Sequence, residues 1–203
     1  GDGLLWRYNL HYFDDLTAVN SAERAIWHNA FINKWIATQP FGSSVSWDSY
    51  PLSLRAVNWI KFHHSRTNLS PEMQENLAQQ IHWLSHQIEW HLCGNHLFAN
   101  AKALIAGGCF FDGKEADRWL MQGINILDQE ISEQILPDGG HFELSPMYHA
   151  LMIEDILDLI AVTDCYQMPS LLQRRGLLVR TASAMLNWLG IMCHPDGQIS
   201  FFN

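Results

Sequence analysis

Residues Ser70–His91 read SPEMQENLAQQIHWLSHQIEWH. Met73, Leu77, Ile81 and Leu84 recur every three or four residues, the spacing that lines one face of an α-helix, and polar residues fill the positions between. Ser70 ahead of Pro71 places a hydroxyl N-cap before a residue whose missing N–H is tolerated in a first turn, with Glu72 beside it. The run predicts a helix over Pro71–His91. The same period recurs on both sides and predicts helices over Leu10–Thr17, Ala22–Thr38, Pro51–Ser65, His96–Phe111, Lys114–Gln134, Pro146–Thr163 and Ser170–Met192. A second cap-and-proline pair stands at Ser145-Pro146, while Asp112-Gly113 and Asp138-Gly139-Gly140 break the chain between helices.

Alternation with a period of two is almost absent, and Ile199-Ser200-Phe201-Phe202 is the one strand-like run. Helices of this length on short loops predict stacked hairpins, which fit an α/α toroid or a helical solenoid. The absence of a fixed-period repeat favours the toroid. The fold class is therefore expected to be all-α, an incomplete (α/α) toroid of antiparallel helical hairpins. It reads as a single domain over residues 1–203, cut at both ends. At the rim where helix N-termini converge, unpaired N–H groups and the helix dipoles favour anions.

With 203 residues, 48% of them hydrophobic, the chain can bury a sizeable core. Only 16% are charged, yet there are nine Trp, ten Phe, five Tyr and eleven His, which suggests an aromatic-lined groove as well as a core. A formal charge of -9 argues against nucleic acid, and an anionic polymer would need a locally basic cleft. Cys93, Cys109, Cys165 and Cys193 form no C-x-x-C pair, and three of them sit in apolar stretches that suggest buried thiols. No segment has the length and apolarity of a membrane span, and the chain opens with no signal peptide.

Three segments place polar and aromatic residues where a helix built only for packing would not. They are Trp47-Asp48-Ser49-Tyr50-Pro51-Leu52-Ser53-Leu54-Arg55 with Asn58 and Trp59, then Gly94-Asn95-His96-Leu97-Phe98-Ala99-Asn100-Ala101-Lys102, then Gly139-Gly140-His141-Phe142-Glu143-Leu144-Ser145-Pro146-Met147-Tyr148-His149. Together with Trp6-Arg7-Tyr8-Asn9-Leu10-His11-Tyr12-Phe13, these segments resemble the N-terminal α/α-toroid domain of the heparinase II/III-like polysaccharide lyases, alginate lyases among them. The resemblance covers nearly the whole chain. It implies cleavage of a uronic-acid polysaccharide by β-elimination, a periplasmic or secreted location, and a C-terminal β-sandwich domain that this chain lacks. No cofactor is expected in this chain, and a structural metal, where relatives have one, belongs to that second domain.

Removing the C5 proton of a uronate requires donors that offset the charge growing on the adjacent carboxylate. The resemblance assigns this to Asn95 and His96, and the proton-transferring phenol to Tyr148. Ser145-Pro146 sets Tyr148 in a first helical turn, where the positive dipole end favours phenolate. Arg55 is the expected carboxylate or sulfate clamp, Trp47 and Tyr50 are the expected stacking platforms, and Asn100, Glu143 and His149 complete the expected substrate-binding set. His82 and His86 stand one helical turn apart, but no third ligand accompanies them, so no metal is expected here. The acidic groups Asp14-Asp15 and Glu154-Asp155-Asp158 read as solvated helix faces. A hydrolase pairing Glu143 with Asp138 or Asp48 has only the architecture in its favour. A uronyl C5-epimerase, which abstracts the same proton and returns it, and a non-catalytic polysaccharide-binding module are the alternatives.

Overall fold

A computed structural model describes residues 3–42, 44–65, 68–92 and 94–200. The chain folds into eight α-helices among the described residues: α1 Gly3–Asn9, α2 Ala25–Thr38, α3 Ser49–His64, α4 Pro71–His86, α5 Asn95–Phe110, α6 Lys114–Gln134, α7 Pro146–Tyr166 and α8 Pro169–Met192. The caps expected from sequence form: Ser70 Oγ accepts the Met73 N–H at 3.3 Å, and Ser145 Oγ accepts the Tyr148 N–H at 3.5 Å. Gly113 and Gly139 take the left-handed conformations (φ 106° and 88°) that the expected breaks require.

Two departures reshape the functional end. The first α-helix lies at Gly3–Asn9 rather than over Leu10–Thr17, because Phe13 turns left-handed (φ 61°) and leaves only a 3-10 turn at Asp14–Thr17, swinging Tyr12 and Leu16 into the core. Helix α4 stops at His86 instead of His91, freeing Glu89 for a loop contact described below. The strand-like run near the end makes an isolated bridge, Cys193 to Ile199, and Phe201 and Phe202 lie outside the described residues.

The helices pack as antiparallel hairpins, α3 on α4, α5 on α6 and α7 on α8. Because each hairpin reverses direction, α3, α5 and α7 run parallel and contact one another as an inner row, while α2, α4 and α6 form an outer row. Helix α5 is the hub, buried from Leu97 to Gly108, with α3, α4, α6 and α7 all against it. Its approach to α6 is closer than any side chain would permit. A Cβ at Gly108 would lie 2.5 Å from Leu120 N, and one at Gly123 would lie 2.8 Å from Ala101 O. One core cluster joins α2, α3, α4, one face of α5 and part of α6, and a second joins α5, α6, α7 and α8.

Asp155 and Asp158, expected on a solvated face, instead point inward from α7. Lys102 Nζ, buried on α5, sits 2.5 Å from Asp155 and 2.9 Å from Asp158, and Lys61 of α3 reaches Asp158 at 2.6 Å. Burial alone would lower the Lys102 pKa, but the two aspartates outweigh it and hold the ammonium charged. This network ties the three inner helices together. The thiols also depart from expectation: Cys165 is exposed, Cys109 and Cys193 are half-buried, all three are unpaired, and Cys93 lies outside the described residues.

Candidate active site

Since α3, α5 and α7 are parallel, their first turns meet at one rim, and each contributes side chains there. Tyr50 comes from α3, Asn95 and His96 from α5, and Tyr148 from α7. The Tyr50 ring stacks on His96 with centroids 4.1 Å apart and planes 15° from parallel. Asn95 Nδ2 donates to the Tyr50 hydroxyl at 3.4 Å. Tyr12 meets Tyr50 edge-on at 6.0 Å. Tyr148 is half-buried and near enough for its charge to bear on Tyr50. Burial raises the Tyr50 pKa, with Tyr12, Asp155 and Tyr148 adding to the rise, so this phenol stays protonated. Burial also pushes Tyr12 up to about 12.

A chain of polar contacts supports the α5 side of the rim. Ser53 Oγ donates to Ser49 O at 2.8 Å and accepts from Asn100 Nδ2 at 3.1 Å. Asn100 Oδ1 accepts the Glu89 N–H at 3.1 Å, and Asn100 Nδ2 also lies 3.3 Å from Glu89 Oε2. Glu89 Oε1 in turn faces His96 Nδ1 at 3.3 Å. A second chain secures the loop between α6 and α7. Gln134 Nε2 donates to Gly94 O at 3.0 Å and to Glu130 at 2.5 Å, which leaves Gln134 Oε1 to accept from His141 Nε2 at 2.9 Å. The His141 N–H donates to His149 Nδ1 at 3.1 Å, so the proton of His149 sits on Nε2 and goes to Met185 O at 2.9 Å. This loop folds over the start of α5, where Gly94 (φ 90°) caps the helix and a Cβ would come 2.6 Å from Glu143 Oε1.

Of the residues singled out from sequence, Asn95, His96, Tyr50 and Tyr148 share the rim, and exposed Glu143 overhangs it. Four others lie elsewhere in the packing. Arg55 is fully buried, its Nε bound to Gln80 Oε1 at 2.8 Å, its Nη1 to His11 O at 3.3 Å, and its guanidinium 4.1 Å from the centre of the Trp35 ring. It holds the interior rather than a ligand. Trp47 is 3% exposed among Trp35, Phe41 and Trp83, which leaves no open face for a sugar. Asn100 and His149 are both fully enclosed and act through the two chains just described. The basic cleft expected for an anionic polymer is likewise not built from inner-row cations, because Arg55 is buried and Lys61 and Lys102 are matched to aspartates. On the outer row, His82 pairs with Glu115 and stands 4.7 Å, ring to ring, from His86.

The family model described as Heparinase II/III N-terminus matches residues 27–203. The chain belongs to this family. Three curated heparin-sulfate lyases are similar to this heparinase II/III N-terminal domain. That of Bacteroides stercoris is 42% identical over 74 residues, 36% of this chain and 11% of that protein. That of Pedobacter heparinus is 41% identical over 88 residues, 42% of this chain and 13% of that protein. That of Bacteroides thetaiotaomicron is 27% identical over 156 residues, 71% of this chain and 22% of that protein. The matched part thus spans less than a quarter of each of these relatives. Among solved structures, a heparan sulfate lyase mutant from Pedobacter heparinus superposes with a TM-score of 0.69 at 24% identity, covering 100% of this chain and 34% of that one. A heparinase III gives 0.67 at 21% identity, covering 100% and 36%. These likenesses establish the helical toroid fold of the domain.

Sequence reasoning missed three contributors to the rim. Glu89 lies within Pro71–His91, where the sequence pattern predicts continuous helix but α4 ends at His86. Tyr8 stood in a quoted motif without a role, yet its hydroxyl donates to Asp48 Oδ2 at 2.8 Å and fastens α1 to the start of α3. Ser49, whose hydroxyl donates to Gln87 O, joins the start of α3 to the end of α4. The interruption of the helix between His86 and Asn95 carries little sequence signal before Gly94, because Ile88 keeps the apolar period.

Proposed function

We propose that this domain is the N-terminal part of a polysaccharide lyase that cleaves a uronate-containing anionic polymer, of the heparan sulfate kind, by β-elimination. The observation that carries the reading is that an amide and an imidazole on the first turn of α5 lie against Tyr50 of α3, with the Tyr148 phenol on the first turn of α7 near enough to bear on Tyr50. Asn95 and His96 donate to the uronate carboxylate and stabilise the enolate-like charge that forms as the C5 proton leaves. Tyr148 delivers a proton to the departing glycosidic oxygen, which completes the elimination and leaves an unsaturated uronate at the new end. Tyr50, kept neutral by burial, is a hydrogen-bonding neighbour rather than a base.

The chain's partners on this reading are the polymer and a C-terminal domain that brings the remaining proton-transfer group. The protein would work in the periplasm or outside the cell, where such polymers are met. Full-length protein carrying Tyr148→Phe should form no ultraviolet-absorbing unsaturated product while melting as the wild type does. Retained product formation removes Tyr148 from the mechanism. Inverted uronate in a polymer of unchanged length would identify a C5-epimerase, and binding without turnover in the wild type would identify a binding module.

A further inference from the structure

We propose that Glu89 is a positioning residue that fixes the His96 imidazole with its Nδ1–H turned inward, so that His96 meets the substrate through Nε2. The proposal rests on the lyase reading only for its consequence in turnover. Glu89 is a poor choice for a loop residue built for packing. Its side chain is only 13% exposed, and His96 is its ion-pair partner among the described residues, at 3.3 Å. A carboxylate withdrawn from water without a cation is costly, so its retention calls for donors around it. The fold supplies them from Asn100, itself fully buried, which accepts the Glu89 backbone N–H and reaches the carboxylate with its own amide. Helix α4 ends at His86 in time for this, and Ser49 holds the Gln87 carbonyl two residues before Glu89.

A carboxylate only accepts, so the ring nitrogen facing it must carry the proton. That assigns Nδ1–H to the Glu89 side. The stacked Tyr50 ring fixes the plane of the imidazole, and Nε2 is engaged by no described residue. In the neutral ring Nε2 is a bare acceptor. To donate to a uronate carboxylate it must take up a proton, giving an imidazolium held between Glu89 on one nitrogen and the sugar acid on the other. That proton comes from solvent water as the anion binds, and the substrate loses none until C5 is attacked. Glu89 therefore ties the carboxylate-binding form of His96 to the arrival of an anion, and Asn100 acts on the site through Glu89.

The test is histidine nitrogen-15 NMR on the full-length protein, with the His96 signals identified by their loss in His96→Ala. The wild type should show the Nδ1–H tautomer at a pH where the ring is neutral, and Glu89→Ala should convert it to Nε2–H. A wild-type Nε2–H tautomer, or a signature unmoved in Glu89→Ala, overturns the proposal. Should Glu89→Ala fail to fold, the near-isosteric Glu89→Gln decides: kcat falling roughly a hundredfold with KM within about twofold sustains the positioning role, and wild-type kcat overturns it. A wild type with no lyase activity would sink the proposed function, while the tautomer measurement would still decide the pairing of Glu89 with His96.

Discussion

His141 should make this domain sensitive to mild acid. It is fully buried between α6 and α7, with Nε2–H given to Gln134 and no partner for Nδ1 among the described residues. Burial, with His149 adding to it, lowers its pKa from 6.5 to about 4. Above pH 6.5 both the folded and the unfolded chain carry it neutral, and it contributes no pH dependence. Between that value and about 4 the unfolded chain binds a proton that the folded chain refuses, so stability falls as pH falls, and below about 4 both forms are charged and the loss levels off. At about 1.4 kcal/mol per unit, the full loss comes to about 3 kcal/mol, a large fraction of a domain's stability. Burial lowers the His149 pKa as well and acts in the same direction. Urea unfolding at intervals from pH 7 to 4 should show this loss in the wild type, and His141→Asn, which cannot charge, should lack most of it. Parallel pH profiles for the two proteins would refute the argument.

Four further outcomes follow from the packing. Arg55→Ala should lower stability by roughly 2–5 kcal/mol in thermal unfolding, because it empties a buried site and strands Gln80, and a folded variant altered only in KM would contradict the interior role. Lys102→Met should leave Asp155 buried without a cation and Asp158 with Lys61 alone, destabilising the fold by a similar order at neutral pH and less at pH 4, where protonation removes the repulsion. Gly94→Ala combines a left-handed backbone with a clash against Glu143, so the loss of activity should exceed that of Glu143→Ala when both are assayed on one polymer. Ser145→Ala should cost about 1 kcal/mol by removing the cap of α7, read as a lower melting temperature.

The helices were legible because apolar spacing and caps are local properties; α6 begins at Lys114 and ends at Gln134 as the pattern requires. The residues meeting at the rim were legible only in part. Asn95, His96 and Tyr148 lie in segments whose polarity is unusual for buried helices, and the structure puts them on adjoining first turns. Arg55, Trp47, Asn100 and His149 lie in the same segments, and sequence does not distinguish a polar side chain that faces a groove from one that serves a neighbour. That distinction depends on helix rotation against partners far along the chain, as with Arg55 and Gln80 or Asn100 and Glu89. Asp155 and Asp158 read as solvated for the same reason, since their countercharges, Lys102 and Lys61, lie on other helices.

The parallel inner row has a consequence for how a protein of charge -9 can receive a polyanion. On the proposed reading its attraction at the rim would come from peptide dipoles fixed in the backbone rather than from the inner-row cations, which are buried or matched to aspartates. Few counterions would then be released on association, and affinity should fall only gently as ionic strength rises. On the proposed reading such a rim would hold one sugar at a time through short-range geometry, leaving long-range capture of the polymer to other parts of the protein.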